Sequence, residues 1–424
     1  MDLLQYVKLA TTPHQAVTAG ADYLKEKGFK ELTLGKAFDI KKGGKYYLTA
    51  YSTSLIAFTI GAEATEHQEF HVAAAHTDHP CLHIKPKAEM APGKYLKIDT
   101  EIYGGPILNT WLDRPLSVAG RVALKGEDVY HPEIKLVDFA RPIATIPNLA
   151  IHFNRKVNEG IELNKQSDML PIIGLFEESM NKDNYFLELL AKECQVEPED
   201  ILDFDLYVYN LEAGCYVGVN EEMISAPRLD NLTSCFALLS GISGEVRQDG
   251  INVAILFDHE EIGNRSKQGA DSALLQMVLE KIYVALGFDK NALTDSIFNS
   301  FLFSVDVAHA VHPHHAEKYD PVNQAYFNEG IVLKLNSNQR YTFDTEAVAI
   351  AQGICEASGV KYQKFANRSD EAGGRTLGPI ISGWLPMKAV DIGVPILAMH
   401  SARELMGRKD QEYLEMLMAG FYAK

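Results

Sequence analysis

Four widely separated stretches of this 424-residue chain end alike. FHVAAAH closes on His76, with Thr77 and Asp78 next. INVAILF runs into Asp258, His259, Glu260 and Glu261. SFLFSV runs into Asp306, and GVPILAM into His400. From about residue 221 such apolar, strand-like runs alternate with longer helical patterns, the signature of a parallel or mixed α/β sheet. In open α/β sheets, ligands bind in the crevice at the carboxyl ends of the strands. Four strands would thus each deliver a His, Asp or Glu to one sheet edge. Asp230 joins them from SAPRLDNLTSCFALLSGI, where Leu232, Phe236 and Leu239 define a helical face beginning just after it.

A single core rarely grows past about 250–300 residues, so this length predicts two domains. Residues 12–28 are expected to form a helix, with Thr12 as its cap, Pro13 in its first turn and Gly28 at its end. Runs such as KYYLTAYSTSLIAFTIG make the following region strand-like up to about 88. Between 89 and 220, short β-prone runs are broken by Gly, Pro and Asn, with one helical interruption near Tyr185–Lys192. The expected fold class is α/β: a catalytic domain of residues 1–88 and 221–424, with a mixed sheet flanked by helices, split by an inserted β-rich domain of residues 89–220.

Lys and Arg total 40 against 57 for Asp and Glu, a formal net charge of −17. Such a chain repels phosphate backbones, which argues against nucleic acid or an anionic membrane as partner. No stretch approaches the roughly 18 apolar residues of a membrane span, and the N-terminus has no basic segment followed by a continuous apolar one. Cys81, Cys194, Cys215, Cys235 and Cys355 are odd in number and form no CxxC pair, which suits reduced thiols in the cytoplasm.

Taken singly, each candidate has an ordinary explanation. Asp230 suits a helix N-cap, His76 or His400 a hydrogen-bonded core histidine, Asp258 the start of a turn, and Glu260 and Glu261 a solvated surface. Asp306 is harder to place, because an unpaired acid inside SFLFSVDVAHAV would be costly to bury. The joint placement is what these explanations leave out, since carboxylates gathered closely need cations between them. Two further clusters, His309-His312-His314-His315 and His76-His79-Cys81-His83, match no closed zinc spacing or point apart around Pro80. Mixed imidazole and carboxylate donors suit zinc, with cobalt or manganese as substitutes, over calcium or magnesium. The set suffices for two ions roughly 3.5–4 Å apart. Asp78, two residues past His76 on the same side of a strand, can fix the imidazole tautomer. Of the adjacent pair Glu260-Glu261, one carboxylate can ligate while the other acts as general base toward a water and a leaving amine.

AAAHTDHPCLHIKP, GGPILNTWLDRPLSVAGRV, NLAIHFNRKVNEGIELNK, SAPRLDNLTS, FDHEEIGNRSKQGA, SVDVAHAVHP, KLNSNQRY and VDIGVPILAMHSARE follow one another along nearly the whole chain. In this order they resemble the aspartyl aminopeptidase family of dizinc metallopeptidases. The resemblance implies an inserted dimerisation domain and a metal-dependent aminopeptidase that removes an N-terminal residue, favouring Asp or Glu, from peptide substrates. It implies two Zn2+ per subunit held by His76, Asp230, Glu261, Asp306 and His400, with Asp230 bridging. Glu260 would be the base, Asp78 the orienter of His76, and His152 an oxyanion-stabilising group reaching a neighbouring subunit. Lys334, Arg375 and His309 are the expected substrate-binding residues. Homo-oligomers are implied, with dimers assembled into a dodecamer. The chain departs from the family at His79, where Ser is common, and in SDEAGGRTLGP, which carries Arg375. A related dizinc deacylase or carboxypeptidase, or a metal-bound shell-forming protein without hydrolytic activity, are the alternatives.

Overall fold

The computed structural model describes residues 1–177 and 181–424. They form two compact units. The first comprises Met1–Asp78, Gly214–Met399 and Glu404–Lys424, and the second His79–Ala213 and His400–Arg403.

The first unit is built on a nine-stranded mixed sheet. Its spatial order is Lys30–Glu31, Lys45–Ala50, Ser54–Ile60, Ile251–Phe257, Phe70–His76, Phe301–Val305, Lys388–Gly393, Ile331–Leu335 and Tyr362–Ala366. The strands 251–257, 70–76, 301–305 and 388–393 run parallel side by side. Side chains alternate between the faces of a strand, and the burial follows that period. Ala73, Ala75, Ala254, Leu256, Phe301 and Phe303 enter one core with the helices Leu3–Leu9, Pro13–Glu26, Leu229–Ile242, Thr345–Ala357 and Arg408–Ala423. Val72, Ala74, Val253, Ile255 and Leu302 enter another with Leu274–Leu286, Lys290–Asn299 and Gly378–Trp384. Both faces are covered, so these strands read as continuous apolar runs. Thr12 occupies the N-cap position of Pro13–Glu26, but its hydroxyl meets the Gln15 side chain, not a backbone N–H.

Register carries the site. Phe257 pairs with His76, so Asp258 begins one residue beyond it; Ser304 pairs with Ala74, which brings Asp306 level with His76. GVPILAM, read as one strand, is divided. Lys388–Gly393 lies in the large sheet, and Pro395–Leu397 joins a five-stranded sheet between Glu404–Gly407 and Ala308–His309. Pro395 has no N–H with which to continue a ladder. Gly393 packs so closely that a Cβ there would lie 1.7 Å from the Asp306 carbonyl oxygen.

The second unit holds a six-stranded antiparallel sheet in the order His131–Asp138, Leu116–Asp128, Ile201–Asn210, Cys81–Met90, Tyr95–Tyr103 and Ile172–Leu175. The helix Tyr185–Cys194 contributes Phe186 and Leu190 to its core. Sequence texture changes near 88 and 220, but Cys81–Met90 pairs inside this sheet, and Cys215–Val217 pairs with Met223–Ala226 in the first unit. A strand's texture does not say which sheet will take it.

Gly393→Ala should force the backbone away from Asp306 and lower unfolding free energy by about 3 kcal/mol, the upper end of overpacking costs. Urea unfolding checks this; an unchanged midpoint would refute the close-approach argument.

Candidate active site

His76 ends its strand fully buried, and its two ring nitrogens have different surroundings. Nδ1 lies 3.0 Å from the Asp78 carbonyl oxygen and 3.3 Å from the Asp78 carboxylate. Nε2 lies 3.4 Å from Asp230 Oδ1 and 3.6 Å from Asp306 Oδ1. Nδ1–H donates to Asp78 and Nε2–H faces the two carboxylates, the place in which a metal cation would replace that proton. Burial alone would push the imidazole pKa down. Hydrogen bonding to Asp230, Asp306 and Asp78 outweighs it and holds the pKa well above its ordinary value.

Asp78, itself buried, does a second job. Its two carboxylate oxygens accept the backbone N–H groups of Glu260 and Glu261, each at 3.1 Å. The turn after Ile251–Phe257 is thereby tied to the residue two beyond His76. Asp258 stays within that turn, accepting the His259 N–H at 2.7 Å. Glu260 and Glu261 are half-buried. Burial is the main cause that pushes Glu260 up to about 8; the His76 charge opposes it, and the carboxylates of Asp306, Asp78 and Asp230 add to it.

Asp230 lies in the first turn of Leu229–Ile242 with non-helical φ −81° and ψ 104°. Its N–H donates to the buried Glu404 carboxylate at 3.0 Å. The next residue, Asn231, donates its side-chain amide to the Val305 carbonyl at 2.9 Å, one residue before Asp306. Cys235, a turn further on, places its thiol 2.9 Å from the His76 carbonyl. The carbonyls of Asp306 and Val307 accept from Lys334 Nζ at 3.2 and 3.1 Å. Asp230 and Asp306 are therefore held through their backbones, and their carboxylates face the His76 imidazole.

Ligand atoms of His76, Asp230 and Asp306 lie within 4.8 Å of one another, and so do those of His76, Glu260 and Glu261. Two like charges about 4 Å apart repel by about 4 kcal/mol at an effective dielectric of about 20. Several such pairs around one imidazole are stable only with positive charge among them. The donors, imidazole nitrogen and carboxylate oxygen, are those zinc takes, so this set fits that metal.

The other expected residues lie as follows. His400 follows Pro395–Leu397 and sits among the residues of the second unit, with Nδ1 3.1 Å from the Gly105 carbonyl oxygen. His152 is exposed in a loop of the second unit whose Leu149, Ile151 and Phe153 are exposed as well. Lys334 is buried, 5.0 Å over the Tyr341 ring, and two of its donors point at backbone carbonyls. His309 is half-buried, its ring 6.2 Å from Phe365. Arg375 is exposed ahead of Gly378–Trp384. Among the described residues, neither the His309–His315 run nor His79, Cys81 and His83 gathers a ligand cluster. His83 instead bonds Asp205 at 3.1 Å.

Sequence reasoning did not single out Glu404 or Cys235. Both stand close to expected ligands in the chain, within HSARE and LDNLTSC, but only the fold brings the Glu404 carboxylate to the Asp230 N–H.

The comparisons with known proteins agree with this chemistry. The family model described as aminopeptidase I zinc metalloprotease (M18) matches residues 6–422. A Clostridium acetobutylicum protein named probable M18 family aminopeptidase 2 is 44% identical over 421 residues, 99% of this chain and 97% of that one. A chain from the cryo-EM structure of the Ape4 and Nbr1 complex is similar with a TM-score of 0.95 at 36% identity, over 99% of this chain and 84% of that one. The structure of the S. cerevisiae mApe1 dodecamer gives a TM-score of 0.84 at 26% identity, over 99% and 95%. The chain belongs to the M18 family of zinc metalloproteases and is an aminopeptidase, a hydrolase acting on peptide bonds.

Proposed function

We propose that this aminopeptidase uses two zinc ions per subunit, held by His76, Asp230, Glu261, Asp306 and His400 with Asp230 between them. The observation that carries this reading is the convergence of Asp230 and Asp306 on the Nε2 of His76, with both Glu260 and Glu261 gathered about the same imidazole. A structural metal site would have no use for the additional half-buried carboxylate of Glu260. Bound zinc would supply Lewis-acid polarisation of the scissile carbonyl and of the attacking water. Glu260 takes the proton of that water and returns it to the leaving amine. Asp78 fixes the tautomer of His76 and, through the Glu260 and Glu261 N–H groups, the aim of both glutamates.

His152 would act in a neighbouring copy, donating to the developing oxyanion. Its exposed position beside Leu149, Ile151 and Phe153 suits a loop covered by a second subunit, and the dodecamer of S. cerevisiae mApe1 supports a homo-oligomer, here proposed as dimers assembled into a dodecamer. The second unit would be the dimerisation domain. We assign a preference for Asp or Glu at the peptide N-terminus, with His309, Lys334 and Arg375 as the proposed substrate-binding groups. A cytoplasmic location suits the buried thiols of Cys194, Cys235 and Cys355.

Glu260→Gln should keep its zinc and lose about 10²–10⁴-fold in kcat, the usual share of general acid–base catalysis. Metal analysis with initial rates decides, and unchanged turnover would remove Glu260 from the role. Among free peptides beginning with Asp, Glu, Leu and Lys, the first two should be cleaved fastest; equal rates would end the acidic preference. Mixing His152→Phe with Glu260→Gln protein should restore part of the activity once subunits exchange. Mixed oligomers without recovery would place His152 outside the partner's site.

A further inference from the structure

Arg228 lies two residues before Asp230 and is 8% exposed. Its guanidinium donates through Nε to the Ala10 carbonyl at 3.1 Å and through Nη2 to the Val7 carbonyl at 3.0 Å. These oxygens belong to the last turn and C-cap of the helix Leu3–Leu9. The last carbonyls of a helix have no partner within it, and a cation there is favoured. That helix is itself well seated. Leu3, Tyr6 and Val7 are buried, the Tyr6 hydroxyl donates to the Ala16 carbonyl, and its ring lies 5.8 Å from Phe236 on the helix that begins at the Asp230 turn.

The Arg228 backbone is left-handed, with φ +59° and ψ 29°. Side chains other than glycine enter this region only where their surroundings over-determine it. Here the turn is held on three sides. Glu404 accepts the Asp230 N–H, Asn231 reaches the Val305 carbonyl, and Arg228 grips the helix end. The first two contacts stay near the metal-ligating residues. The third reaches the N-terminal helix.

We propose that Arg228 is a positioning residue that makes the helix Leu3–Leu9 part of the support of the metal centre, by fixing the turn from which Asp230 projects. This rests on the reading of Asp230 as a zinc ligand. A guanidinium spanning two carbonyls of a packed helix resists displacement of that turn, so its loss should raise the rate at which zinc escapes.

The test compares zinc release to excess chelator, melting temperature, kcat and KM in the zinc-loaded enzyme and four variants. Arg228→Gln should release zinc at least tenfold faster and lose kcat at unchanged KM. Arg228→Lys, which keeps a cation able to reach one carbonyl, should fall between it and the wild type. Arg247→Gln is the control for mere structural damage. Arg247 is equally buried, but it bonds the Glu69 carbonyl and His71 at the other end of the strand from His76. Its loss should lower the melting temperature and leave zinc release unchanged. Wild-type zinc release from Arg228→Gln, or release that rises only as far as its melting temperature falls, would overturn the proposal. If Arg228→Gln does not fold, Arg228→Lys decides by the same criterion. Asp230→Asn separates the two levels. Zinc held as in the wild type would refute the ligand assignment; zinc lost there but retained in Arg228→Gln would refute the positioning role alone.

Discussion

Asp78, Asp230, Asp306 and Glu260 crowd one buried imidazole, and their mutual repulsion is the constraint to which the rest of the first unit answers. Repelling groups stay together only if something other than their own attraction holds them. Here the backbone does so. Asp78 is tied to two N–H groups, Asp230 to Glu404, the Asp230 turn to Val305, and the Asp306 carbonyl to Lys334. Hydrogen bonds to charged groups contribute about 1.5–3 kcal/mol each, comparable with the repulsion they oppose. A bound cation then meets a preformed site, and little of its binding free energy goes into ordering the donors.

The parallel strands make this possible at low cost. Strands in register put residues of equal height side by side, so His76, Asp258 and Asp306 emerge at one edge without any bending of the chain. Small side chains in FHVAAAH let the helix Leu229–Ile242 lie close to the strand, close enough for the Cys235 thiol to reach the His76 carbonyl. Gly393 serves the same end from the neighbouring strand, where the Asp306 carbonyl occupies the space of a side chain.

Lys334 illustrates how a residue's meaning depends on where the fold places it. The family motif KLNSNQRY suggests a cation waiting for an acidic substrate group. In the structure its ammonium lies beneath Asp306, opposite Asp391 in the adjacent strand, with two donors committed to backbone oxygens. Burial pushes the Asp391 carboxyl up to about 6, against the pull of the Lys334 charge and the hydrogen bonds it accepts. The lysine thus stabilises the floor of the site whether or not it also meets substrate.

The sheet class, the strands ending at His76, Phe257 and Val305, and the residues that follow them were legible in the linear chain. A buried parallel strand is a local run of apolar residues, and an acid or histidine at its end stands out against them. The donor types were legible for the same reason, since composition at a strand end needs no knowledge of neighbours. Tertiary structure alone decided which strands lie adjacent, that the GVPILAM run divides between two sheets, Gly393 ending one strand and Pro395 starting another, and that Cys81–Met90 belongs with the second unit. It alone brought Glu404 to Asp230 and Arg228 to the end of the N-terminal helix. These contacts join residues more than 170 positions apart, and no local pattern of polarity encodes a pairing that exists only once both partners have been folded into place.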